Sequence, residues 1–252
     1  MVSHLIIKDI FKIHFFFYIV TFIALFTGHI IDYLFFVSIL LVHEFGHVFG
    51  GMLFGFKVKK FIILPFGGFI IFDNLINTPL FYSFIITILG PVFQILYFIL
   101  LNKFFVLSHT IIYYNFFLLI FNLLPIFPLD GSKFLDVFLN SFFCFKTSFF
   151  VKLVISFIFL FVVTLFFHSF FIYLVVPFLF IKTYLEFKNR RYIYNRFLYE
   201  RYVYDFNFKR LKYINSPNHL YMSRRHMILY DKNYITERNY LMKRFDKHIN
   251  LW

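Results

Sequence analysis

Long apolar runs separated by short polar breaks fill most of the chain up to about residue 187. Six of them, near 13–30, 33–54, 79–101, 109–128, 149–167 and 169–187, each approach the ~20 apolar residues a helix needs to cross hydrocarbon. Only His168 and Ser169 punctuate the last two, so a single long helix, giving five spans, is the alternative. Between the second and third runs, residues 58–72 place two short β-prone stretches around Pro65-Phe66-Gly67-Gly68, which reads as a hairpin. Bare strand edges cannot face lipid, so the hairpin is expected at the interface or against protein. An unpaired edge there could accept an added strand. The pattern predicts an all-α polytopic membrane protein of about six transmembrane helices, with a short membrane-associated β-hairpin.

Composition agrees. The 252 residues are 61% hydrophobic and only 15% charged, against about 25% charged in soluble domains, which excludes a water-soluble globule. Charge divides the chain: residues 1–181 carry a net +3, whereas Lys182 to Trp252 carry a net +10. We therefore expect a membrane body over 1–187 and a basic cytosolic tail over 188–252. With six spans, every basic cluster falls on one side and only Lys103 on the other, so both termini are predicted cytosolic. The first run lacks a small-x-small cleavage pattern before Gly28 and is expected to stay as an anchor. The lone Cys144 excludes an internal disulfide and is expected to pack as a small apolar residue.

Inside the second run stands His43-Glu44-Phe45-Gly46-His47. Ionisable residues at membrane depth are costly and mark functional sites by default. Residues four apart on a helix differ by about 40° around its axis, so both imidazoles face one way. Such a pair can hold one Zn²⁺, with Glu44 placed to act as base on the attacking water. A zinc enzyme needs a third protein ligand and an open position. Asp9, Asp32 and Asp73 lie at span ends or in polar segments. Asp130 instead closes Asn122-Leu123-Leu124-Pro125-Ile126-Phe127-Pro128-Leu129-Asp130-Gly131, where two prolines break the helix and free carbonyls for a wet pocket. Spans two and four run the same way, which sets Asp130 and His47 at comparable depth. Asp136 is the competing carboxylate.

The pairing of His43-Glu44-x-x-His47 with Asn122-x-x-Pro125-x-x-Pro128-x-Asp130-Gly131 resembles the site-2 protease family of intramembrane zinc metalloproteases. Leu64-Pro65-Phe66-Gly67-Gly68 and Leu89-Gly90-Pro91 are similar to its sporulation stage IV protein FB branch, which processes a sporulation sigma-factor precursor. The resemblance covers about residues 5–185. It implies one zinc per chain held by His43, His47 and Asp130, Glu44 as general base, and Asn122, Phe66 and Gly67 positioning substrate. It further implies a sigma-factor precursor as substrate, inhibitory membrane protein partners, and residence in the mother-cell membrane around the forespore of a bacterium. Members of this branch often end in a nucleotide-sensing CBS domain. Here the last glycine is Gly131, so such a domain would have to turn without glycine, and an intact one is not expected.

The tail interleaves aromatics with bases, as in Arg190-Arg191-Tyr192-Ile193-Tyr194-Asn195-Arg196-Phe197. We expect it to meet anionic lipid rather than nucleic acid. A metal transporter or zinc-binding scaffold without protease activity is the alternative from another class, since transporters also place histidines and carboxylates at mid-membrane. Neither requires a Glu between the histidines. A prenyl-protein protease would need Glu-x-x-x-Asp downstream, and Glu186, Glu200 and Glu237 each lack the Asp.

Overall fold

The computed structural model describes residues 11–64, 67–73, 76–166, 170–204, 206, 208–230 and 233–249. They fall into two units, one drawn from Met1–Asn74 and Tyr82–Leu124, the other from Leu75–Phe81 and Pro125–Trp252.

The first unit opens with β1 (Phe11–Ile13) and α1 (Phe15–Phe26), whose first turn is capped by the His14 ring accepting from the Phe16 amide. Gly28, at φ 75°, lets the chain reverse into α2 (Ile30–Leu53). Strands β2 (Val58–Leu64) and β3 (Gly67–Phe72) form the expected hairpin, antiparallel with Ile63 opposite Gly68. The sequence reading did not foresee that β1 pairs in parallel with the other side of β2, giving the order β1-β2-β3. A three-residue strand is too short to announce itself by alternation. Next come α3 (Leu80–Phe104), which contains Pro91, and α4 (His109–Asn122), capped by the Ser108 hydroxyl. Ile39, Leu40, Leu101, Ile111 and Leu118 form the buried core of this unit.

In the second unit the prolines at 125 and 128 end the preceding helix, as expected, and a separate 13-residue helix α5 (Asp130–Phe142) follows. Asp130 thus begins a helix of its own. α6 (Phe145–Phe166) and α7 (Phe170–Lys188) pack side by side, so they are two helices and not one long one; His168 and Ser169 lie outside the described residues. Among the described residues three helices are long and apolar enough to cross a membrane: Ile30–Leu53, Leu80–Phe104 and Phe145–Phe166. The segments Phe15–Phe26 and His109–Asn122 are shorter than their apolar runs, because polar caps and prolines stop them early.

The basic tail folds. α8 (Arg190–Val203), β4 (Leu211–Ile214), β5 (Arg225–Tyr230), β6 (Asn233–Thr236) and α9 (Glu237–Ile249) form a second three-stranded sheet with its helices. β4 runs parallel to β5, and β6 antiparallel. The β4–β5 connection turns through Ser216 and a 3-10 turn at Pro217–His219, without glycine. Phe145, Phe197, Leu198, Leu220, Ile228 and Leu241 belong to one buried cluster, in which the Phe145 and Phe197 rings stack at 4.1 Å. The protein is therefore mostly helical, and its described residues hold two small sheets rather than a single hairpin.

A polar knot holds Asn77 within this unit. The buried Arg201 guanidinium donates to Asn77 Oδ1 (2.6 Å), Glu237 Oε1 (2.8 Å) and the carbonyls of Tyr221 (2.7 Å) and Met222 (2.8 Å). Asn77, fully buried, donates its amide to the Phe197 carbonyl (2.9 Å) and to Glu200 Oε2 (3.2 Å). His226 accepts from the Tyr221 amide through Nε2, which leaves Nδ1 to donate to Glu237 Oε2 at 2.8 Å. Burial opposes the charge on Glu237, but His226 and Arg201 outweigh it and hold its carboxyl below the usual range. Burial also pushes the His226 imidazole down, against the pull of Glu237. Both groups bind protons more readily unfolded than folded. Stability present at neutral pH is therefore lost as pH falls below ~6.5 for His226, and lost further below ~4.5 for Glu237. Amide exchange in β5 and α9 of the intact chain, corrected for its intrinsic pH dependence, should quicken from pH 7 to pH 5. Unchanged protection would refute this linkage.

Candidate metal centre

α2 places His43, Glu44 and His47 on one buried face, each at most 5% exposed. The surrounding shell fixes the tautomer of both neutral rings. His47 Nδ1 lies 2.8 Å from the Ile86 carbonyl, which can only accept, so this nitrogen carries the proton. His43 Nδ1 lies 2.8 Å from Gln94 Oε1. The Gln94 amide nitrogen faces two acceptors, the Asn115 carbonyl (2.9 Å) and Asn115 Oδ1 (3.0 Å), so its oxygen must point at His43 and accept. In the neutral rings both Nε2 atoms then present lone pairs, and they face each other at 3.2 Å. Two imidazole lone pairs at this distance repel unless a cation is shared, and the backing of metal-ligating histidines by acceptors is the usual way their orientation is set. The donor set fits zinc.

Backbone crowds this site from two sides. A Cβ on Gly90 would fall on the His47 ring, and one on Gly46 would meet the Leu89 carbonyl. Gly46 and Gly50 thus let α2 approach α3 closely. From the sheet, the Gly68 amide donates to Glu44 Oε1 at 2.6 Å, and a Cβ there would overlap the Glu44 carboxyl. The neighbouring Gly67 is buried, with Asn122 Oδ1 3.8 Å from where its Cβ would stand. Asn122 ends α4, and its amide nitrogen is buried without a partner. His43, Glu44, His47, Gly67 and Asn122 are thereby brought into one unit. Phe66 lies outside the described residues.

Asp130 belongs to the second unit, where it is 5% exposed at the start of α5 and paired with Lys133 Nζ at 2.8 Å. Asp136, the competing carboxylate, is ion-paired with the nearly buried Lys152 at 3.2 Å. His29 stands near Asp32 at the start of α2, away from the histidine pair in sequence. The supporting residues Gln94, Gly68 and Gly90 were missed as such by the sequence reading. A signal existed for one: Gln94 is the chain's only glutamine and sits in an apolar run.

Residues 33–110 match the model of peptidase family M50. The chain is 33% identical over 205 residues to Stage IV sporulation protein FB of Bacillus subtilis, covering 75% of this chain and 70% of that protein. It is 35% identical over 117 residues to zinc metalloprotease MJ0392 of Methanocaldococcus jannaschii, covering 43% of this chain and 34% of that one. Its fold is similar to that of the solved site-2 protease from Methanocaldococcus jannaschii, with a TM-score of 0.57 and 23% identity across 70% of this chain and 89% of the other. An identity of one third, sustained over more than two thirds of a relative's length, places this chain in peptidase family M50, the family of the site-2 proteases.

Proposed function

We propose that the protein is an intramembrane zinc metalloprotease that cuts a membrane-associated protein, with His43, His47 and Asp130 holding the metal and Glu44 as general base. The observation that carries this is the pair of histidines whose Nδ1 protons are both committed outward, leaving two Nε2 lone pairs face to face. Asp130 offers the third ligand atom as a buried carboxylate. A bound zinc ion supplies Lewis acidity, easing loss of a proton from water and polarising the scissile carbonyl.

The chain's own residues do the rest. Gly68 holds one Glu44 oxygen, so the other takes the proton from the attacking water and later returns it to the leaving amine. Asn122 carries a buried amide donor suited to a substrate carbonyl. A substrate helix must unwind before its carbonyls can be reached. Because β1 covers one side of β2, an extended substrate would add at β3. That strand carries Gly67 and Gly68; Phe66 is assigned to substrate contact with them.

The likeness to Stage IV sporulation protein FB suggests a sporulation sigma-factor precursor as substrate; inhibitory membrane partners and a multi-pass location with cytosolic termini complete the proposal. The test is metal removal. A chelator should stop cleavage of a co-reconstituted sigma-precursor substrate by the purified chain, and stoichiometric zinc should restore it. A folded chain that binds no zinc, or that cleaves equally after chelation, would overturn the reading. Zinc binding with no cleavage of any membrane-tethered substrate would favour the transporter or scaffold instead.

A further inference from the structure

Beside the N-terminal end of α6, within the second unit, lies a cavity of about 500 Å³ that the proposed chemistry does not use. Its floor is apolar: Phe145, Phe149, Phe150 and Leu153, all on the first turns of a helix long and apolar enough to span a membrane. Its rim is basic, with Lys146, Arg190, Arg191 and Arg244, and among the described residues no Asp or Glu lines it. The nearest polar partners of two rim bases are neutral: Lys146 Nζ reaches Asn218 Oδ1 and Arg244 reaches Asn195 Oδ1, both at 3.4 Å. Arg190, the first residue of α8, turns back on the end of α7, donating to the Phe187 carbonyl and covering the Phe187 ring. Among the described residues none of the four is paired with a carboxylate. From the floor a stripe of exposed apolar side chains continues along α6 through Phe150, Val154, Ile158, Phe161 and Leu165, spaced three or four residues apart.

A concentrated positive rim over an apolar floor, continued by a hydrocarbon-like stripe, is complementary to one kind of molecule: an anion attached to an acyl chain. We propose that this cavity is a binding site for the phosphodiester headgroup of an anionic phospholipid, whose acyl chain lies along α6. The folded tail is thereby fastened to the bilayer at one defined point. The buried core that stacks Phe145 on Phe197 makes the two walls of the cavity one body, so the site is built and not a scatter of surface charge.

The test uses the intact chain in neutral-detergent micelles titrated with a fluorescent phosphatidylglycerol. Two triple variants lose the same charge: K146Q/R191Q/R244Q at the rim, and K209Q/R210Q/K243Q at exposed bases elsewhere on the tail. The rim variant should bind at least about tenfold more weakly, while the second stays within about twofold of wild type. Circular dichroism and zinc content should be unchanged in both. Equal losses in the two variants would mean diffuse attraction and would overturn the site, as would no loss in either. Displacement of the lipid by millimolar inorganic phosphate would assign the rim to a free anion and would overturn the lipid assignment. If the rim variant fails to fold, R191Q alone replaces it, with an expected loss of about fivefold.

Discussion

Glu44→Gln should retain its zinc and lose between about 10² and 10⁴ in cleavage rate. The substitution keeps the side chain's size, and its amide oxygen can still accept from the Gly68 amide that holds Glu44 Oε1. What it removes is the ability to take a proton. The imidazoles of His43 and His47 are oriented by Gln94 and the Ile86 carbonyl, so the metal site does not depend on residue 44. Measuring zinc by atomic absorption and cleavage on the same preparations separates the two roles. Loss of zinc would show that Glu44 is structural, and full activity would remove it from the mechanism.

Gly90→Ala should be as damaging, by the opposite route. The new methyl would occupy the place of the His47 ring, bounded on its other side by the Ile86 carbonyl. The ring must leave its position or α3 must move, and α3 also carries the Gln94 that orients His43. One lost ligand should lower zinc affinity by more than about a hundredfold, the upper end of what loss of an outer-shell partner costs. Competition with a fluorescent chelator measures it, and helicity checks the fold. Zinc affinity within about threefold of wild type would show that α3 yields easily there and that Gly90 is not the reason His47 fits.

Much of the candidate site could be read from the chain because its logic is local. Residues four apart share a helix face whatever the tertiary structure does, so His43 and His47 were legible together, and the two prolines before Asp130 announced the break that isolates it. The hairpin was legible because Pro65-Phe66-Gly67-Gly68 punctuates two β-prone stretches. What remained hidden depends on register between distant elements. Nothing local says that Gly68 will deliver its amide to Glu44, or that Gly90 will stand opposite His47. The tail's fold was hidden for a different reason. Its alternation is masked by tyrosines and arginines that are amphipathic themselves, so Ile214, Leu220, Ile228 and Leu241 did not stand out as a core. The absence of glycine there argued against an intact CBS domain and not against a sheet, and Ser216 and Pro217 make the β4–β5 turn without one.

Asn77 gives this architecture a genetic consequence. Its side chain is satisfied by Phe197, Glu200 and Arg201, residues encoded about 120 codons downstream. A premature stop anywhere between the end of α7 and Phe197 would leave every proposed ligand and the general base in the product, yet strand Asn77 without partners. That segment directly precedes the helix bearing Gln94 and Gly90. Nonsense alleles in the tail should therefore behave like alleles of the metal centre itself, and a tail supplied as a separate chain should complement them only if it can rebuild the knot around Arg201.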